Sequence, residues 1–268
     1  MLFTNSRFLL SRGGIALGLL CGVFWTLGSI SYNISVDNVG VTRSTPVKNM
    51  GVVLATFFGI FIFHEFSLTA YGLLSMVIIG SVLMSFAAIV IGKTGAPEHE
   101  KAFAYDLSLT EQERKKYLTR GYLHASLAGV YFSGFTIPMR IMMNEKYNGA
   151  EITFWMSVGA VLSMLIFYPL VKKRFLPRLP KLKDFYRANF SGILWVPGII
   201  FSIYAMNQIP MSVSWPITNL SALVTMAFGI WFYREISFKV YRKEISLGVF
   251  IYLLGMFLLG DAVSIGHR

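Results

Sequence analysis

Apolar residues run through this chain in long uniform blocks, and polar residues gather in the stretches between them. Eight blocks stand out, at residues 14–32, 45–63, 70–91, 121–142, 152–171, 190–206, 213–233 and 245–259. Each approaches the ~20 helical residues needed to cross a bilayer. Most lack the polar face that a helix on a soluble core would keep. Membrane barrel strands alternate polar and apolar positions over about ten residues, whereas these runs are longer and uniformly apolar. Helices satisfy their own backbone in lipid. The pattern therefore predicts an all-α integral membrane protein, a polytopic helical bundle of eight spans.

Composition agrees and removes other classes. Of 268 residues, 55% are hydrophobic and only 14% charged, too few to surface a soluble domain. The single cysteine, Cys21, can form neither an internal disulfide nor a thiolate cluster, and it reads as a small packing residue. A net charge of +11 invites a nucleic-acid reading, but the cations sit where topology needs them. All but five of the 24 Lys and Arg fall on the side of the connections after spans one, three, five and seven. The five are Arg7, Arg12, Arg140, Lys146 and Arg268. By the positive-inside rule the rich side is cytoplasmic, both termini lie outside, and the partners are lipids rather than nucleic acid.

The longest connection, 93–120, contains "SLTEQERKKY". Ser108 precedes Glu111 by three residues, a capping-box spacing that predicts a short surface helix. Its basic end, Arg114 to Lys116, is suited to a solvated linker and, secondarily, to anionic lipid.

An internal repeat organises the rest. At an offset of 170 residues, "VGVTRSTPVKNMGVVLATFFGIFIFHEFS" (39–67) falls on "IPMSVSWPITNLSALVTMAFGIWFYREIS" (209–237). Ser44 meets Ser214, Pro46 meets Pro216, Asn49 meets Asn219, Gly59 meets Gly229 and Glu65 meets Glu235. Proline, asparagine and glutamate are rare inside spans, so a shared register is hard to reach by chance. The charge count orients the two units oppositely, and inverted repeats mark transporters with a substrate site near the midplane.

Each proline removes a backbone donor and frees a carbonyl one turn earlier. Each asparagine lies three residues on, on the same helix face. Asn49 stands about 21 Å of helix from Phe63, well inside a hydrocarbon layer about 30 Å thick. A polar amide there marks a functional site; the structural alternative is an interhelical packing bond. Lys48, opposite Thr218 in the repeat, is a candidate ligand for an anionic or hydroxylated substrate, or a side chain that snorkels. Arg43 is expected to snorkel to the interface.

Trp25, Tyr32, Thr45, Tyr131, Tyr204, Asn207 and Trp215 complete the candidate site. Aromatic rings can cover the C–H faces of a sugar while amides bond its hydroxyls; otherwise these rings belong to the interfacial belt. Glu65 and Glu235 read as helix terminators at the membrane surfaces, with proton coupling as the second reading. The four histidines lack metal-ligand spacing, and no phosphate-binding glycine-lysine loop occurs, so neither an enzyme nor a cofactor is expected.

The proline–asparagine pair, the "FGI" that follows and the closing glutamate resemble the duplicated EamA-like unit of the drug/metabolite transporter superfamily. Within it the sugar-porter branch, with glucose/ribose and rhamnose transporters, is nearest. "GYLHASLAGVYFSGFTIPMR" (121–140) resembles that branch's opening helix. Such proteins have two five-helix halves. The resemblance implies an N-terminal partial repeat of three helices (1–92), a cytoplasmic linker (93–120) and a complete five-helix repeat (121–268). Either two helices are missing or this is an eight-helix variant. The implied function is alternating-access secondary transport of a small polar solute, foremost a sugar, in the cell membrane, with H+ or Na+ coupling and a homodimer as further options. The alternatives are an exporter of amino acids or amphiphilic metabolites, and a non-transporting scaffold.

Overall fold

Eight helical segments take the places of the eight apolar blocks in the computed structural model of the chain. It describes residues 12–66, 70–93, 110–172, 181–218, 221–232, 238 and 240–266. The segments are α1 (Arg12–Val39); α2 (Val41–Asn49) with α3 (Gly51–Phe57) and a π-helical turn, Phe58–Ile62; α4 (Tyr71–Lys93); α5 (Glu111–Gly134) with α6 (Thr136–Asn144); α7 (Gly149–Lys172); α8 (Leu182–Gln208); α9 (Met211–Thr218) with α10 (Ser221–Trp231); and α11 (Arg242–Gly266). No strand occurs among the described residues. The fold is the expected all-α membrane bundle.

The breaks follow local chemistry. Gly40 separates α1 from α2 at φ 82°, a left-handed conformation that suits a residue without Cβ. Pro46 and Pro216 sit inside α2 and α9, and α2 ends three residues after its proline.

Contacts divide the chain into two compact units. One comprises the chain to Thr26 with Gly134–Gln208. Here Thr26 donates its hydroxyl to the Ala160 carbonyl at 3.1 Å. Trp25 packs edge-on against Phe135 at 5.5 Å and beside Trp195 at 5.0 Å. Cys21 is buried, its thiol 3.7 Å from the Phe135 carbonyl, which fits the packing role expected of it. At the start of α7, Asn148 and Glu151 exchange backbone-to-side-chain bonds of 3.1 and 2.9 Å, a capping box in which Asn replaces Ser or Thr.

The other unit comprises Leu27–Ser133 and Ile209–Arg268. Helices α4 and α11 pack along much of their length. They cross where a Cβ on Gly80 would meet the Gly255 carbonyl at 2.8 Å, and one on Gly255 would meet the Gly80 carbonyl at 2.6 Å. Small residues that let backbones approach are the usual means of association in lipid. Helix α2 packs on α10, and α3 on α9. The first half of one proline-bearing segment thus lies beside the second half of the other, and the two run antiparallel. The compact units interleave segments from both sequence repeats, so packing and sequence periodicity divide the chain differently.

Two expectations are corrected. The surface helix is not a separate element: α5 begins at Glu111 and runs unbroken to Gly134, because nothing between them stops a helix. Its capping box is Thr110 with Glu113, joined by bonds of 2.8, 2.8 and 3.3 Å; Ser108 lies outside the described residues. The Thr110 amide and hydroxyl hold the Glu113 carboxyl below its ordinary value. Arg43 does not snorkel. It is 5% exposed, on a helix whose run from Thr42 to Pro46 is buried throughout.

Candidate functional site

The second unit carries most of the expected polar residues, and α2 presents them on two sides. On one side the Tyr32 hydroxyl and Thr45 Oγ1 share a hydrogen bond at 2.7 Å, while Thr45 also bonds the Val41 carbonyl at 2.8 Å. Lys48, one turn beyond Thr45, holds its ammonium over the rings of Tyr32 at 5.0 Å and Phe132 at 5.5 Å. These are cation–π distances. Gly51 and Gly129 bring α5 close enough for this, since a Cβ on Gly129 would meet the Lys48 carbonyl at 2.6 Å.

On the other side Asn49 enters a narrow crevice lined also by Val52, Met84, Ser85, Pro216 and Tyr252. Asn49 Oδ1 and Ser85 Oγ both lack a hydrogen-bond partner among the described residues, and the residues are only 4% and 6% exposed. Leaving a buried polar atom unbonded costs about 1–3 kcal/mol. Both atoms line one crevice beside Pro216. Ser214 Oγ on α9 is likewise buried and unpartnered among the described residues.

The freed carbonyl of Pro216 has a resident partner. Thr56 Oγ1 lies 3.3 Å from the Ser212 carbonyl and 2.9 Å from Ser81 Oγ. The α9 N-terminus is held from the same direction. Glu65 accepts from the amides of Met211 and Ser212, both at 2.8 Å, so its carboxylate meets two orphan donors and the positive end of the helix. The chain folds back to make this clamp. The π-turn closes with Phe63 bonding the Phe58 carbonyl at 3.2 Å, and His64 takes φ 50°, a left-handed conformation costing roughly 1–2 kcal/mol. Gly59 lies under the returning carboxylate: a Cβ there would meet Glu65 Oε2 at 2.5 Å and Ser212 N at 3.0 Å. The glycine and the glutamate of the repeated motif are therefore one device.

A family model for sugar transport proteins matches residues 1–262. The chain belongs to this family. A probable glucose uptake protein of Bacillus cereus is 25% identical over 93% of this chain and 80% of its own length. A putative sugar uptake protein of Listeria monocytogenes is 22% identical over 98% and 84%, and one of Streptococcus pyogenes 20% over 98% and 86%. No solved structure matches.

For this sugar transport protein, the sequence-derived candidates separate into groups. Tyr32, Thr45 and Lys48 come together, as do Asn49 and Pro216. Trp215 and Tyr131 are partly buried on α9 and α5. Thr218 turns its hydroxyl back to the Trp215 carbonyl at 2.9 Å. Tyr204, 60% exposed, and Asn207 occupy exposed positions of α8, in the other compact unit. Asn219 and Glu235 lie outside the described residues, and Gly229 is described only as part of α10. Sequence reasoning missed Ser85, Thr56 and Phe132. A lone serine, threonine or phenylalanine in an apolar span carries no signal of its own. The clamp by Glu65 did have one, its recurrence at 235.

Proposed function

We propose that this protein moves a sugar across the cell membrane by alternating access, with the Asn49–Ser85 crevice as part of its binding site. Family membership supports the class, and the names of its relatives support uptake of glucose or a similar sugar. The carrying observation is that Asn49 Oδ1 and Ser85 Oγ, buried in one crevice, have no hydrogen-bond partner among the described residues. The crevice as it stands has no room for a water, so sugar hydroxyls, each a donor and an acceptor, would complete both once the helices part. The shared sequence register and antiparallel packing of the two proline-bearing segments support an inverted repeat of the EamA type, with rocking of one repeat against the other as the transport step. Coupling to H+ or Na+ belongs to the same reading.

Counterflow of labelled glucose in proteoliposomes tests this directly. Glucose accumulation abolished by excess unlabelled sugar, and unaffected by amino acids, is the expected result. Exchange of amino acids instead would favour the exporter reading. Surface labelling of a cysteine placed at 268, but not at 112, would support outside termini and an inside linker.

A further inference from the structure

Some relatives are named for glucose, a neutral sugar, yet Lys48 on α2 has no carboxylate partner among the described residues. Lys48 is one of two cations in that nine-residue helix, which contains no acidic residue. Its ammonium lies over two rings, Tyr32 and Phe132. The nearby hydroxyl oxygens are engaged with each other and with Val41. Among the described residues no carboxylate or carbonyl accepts from its three N–H groups. Aromatic faces attract a cation but accept no strong hydrogen bond. A charged side chain deep in a span is expensive and is ordinarily paired, turned to a cavity or drawn out to the interface. Lys48 is held between rings rather than drawn out, and it remains partly accessible.

We infer that Lys48, framed by Tyr32, Phe132 and Thr45, is an anion subsite, and that the preferred solute is a sugar derivative bearing a carboxylate or phosphate rather than a neutral sugar. The inference rests on the sugar reading for the rest of the ligand. Charge decides the preference. A neutral hydroxyl can accept one of the ammonium's bonds, but an anion also cancels the buried charge, and charge-assisted bonds are about twice as strong as neutral ones. The rings contribute twice, by holding the ammonium in place and by covering the apolar face of a pyranose.

The test compares ligands that differ by one group. Thermal stabilisation of the purified full chain in detergent is measured with glucose, glucuronate, glucose 6-phosphate, acetate and inorganic phosphate, followed by counterflow with any that bind. Wild type is expected to bind glucuronate or glucose 6-phosphate roughly tenfold tighter than glucose. Lys48→Met should remove that preference, and Lys48→Arg, which keeps the charge, should retain most of it. Lys48→Met should fold, since an unbranched apolar chain suits the bilayer, and a ligand-free melting temperature near that of wild type would confirm this. Equal or tighter binding of glucose in wild type, unchanged in Lys48→Met, would overturn the anion subsite and leave the sugar reading intact. Binding of acetate or phosphate that depends on Lys48, without binding of any sugar, would sustain the subsite and overturn the sugar reading. No response to any anion would overturn the inference.

Discussion

Segments 41–62 and 211–231 share a sequence register and part in chemistry. Each carries its proline in its first half, and each first half packs on the other's second half. Their side chains part at the positions that matter. Lys48 stands opposite Thr218, whose hydroxyl turns back to the Trp215 carbonyl. Thr56, which reaches the Ser212 carbonyl, stands opposite Met226, buried and unable to donate. Ser44 gives its hydroxyl to the Gly40 carbonyl at 2.6 Å and accepts from Ser35 at 2.9 Å. Its counterpart Ser214 is left without a partner among the described residues. The shared register supplies an antiparallel scaffold, and the divergence supplies polarity on one side of it.

The largest effect is expected at the clamp. Glu65→Ala should cost about 1.5–3 kcal/mol of stability, the range for hydrogen bonds to a charged group, read as a lowered melting temperature in detergent. Glu65→Gln, which keeps one acceptor oxygen, should cost less. Glu235→Ala should match Glu65→Ala if the repeat is functional as well as formal, and a silent Glu235→Ala would break the comparison there.

At the crossing of α4 and α11, Gly80→Ala should destabilise by about 1–3 kcal/mol through overpacking, with Gly255→Ala similar. Gly72→Ala, on the same helix but facing open space, should be neutral or stabilise by up to about 1 kcal/mol through helix propensity. Equal melting temperatures for Gly80→Ala and Gly72→Ala would refute the close approach.

Asn49→Leu should fold, because an apolar residue is at home in the span, and should weaken sugar binding about tenfold, near 1.4 kcal/mol. Asn219→Leu sharpens the comparison: an equal loss puts the site on the repeat axis, and no loss puts it on the first segment alone. Untouched uptake in Asn49→Leu would reduce the amide to packing. The smallest effect is expected for Thr56→Val, about 0.5–1.5 kcal/mol for one hydrogen bond, whereas Met226→Leu, a volume-conserving change without a hydroxyl at stake, should do less.

Much of this could be read before any coordinates. Long apolar runs have one stable form in lipid, so eight blocks specified eight helical segments and the membrane class. The recurrence of Pro46, Asn49, Gly59 and Glu65 at 170 residues marked two related proline-bearing segments. These are local properties, set by missing donors, missing Cβ atoms and the intolerance of hydrocarbon for polar groups. Tertiary packing decided the rest. The prolines of α2 and α9 were legible, but that Glu65 reaches back to α9 depends on a π-turn and a left-handed His64 that no periodicity announces. Lys48 and Asn49 are neighbours in sequence, yet α1 and α5 face one while α4, α9 and α11 face the other. An amide's place in a span shows that it needs a partner; only the helices packed around it determine whether that partner is protein or left for a guest.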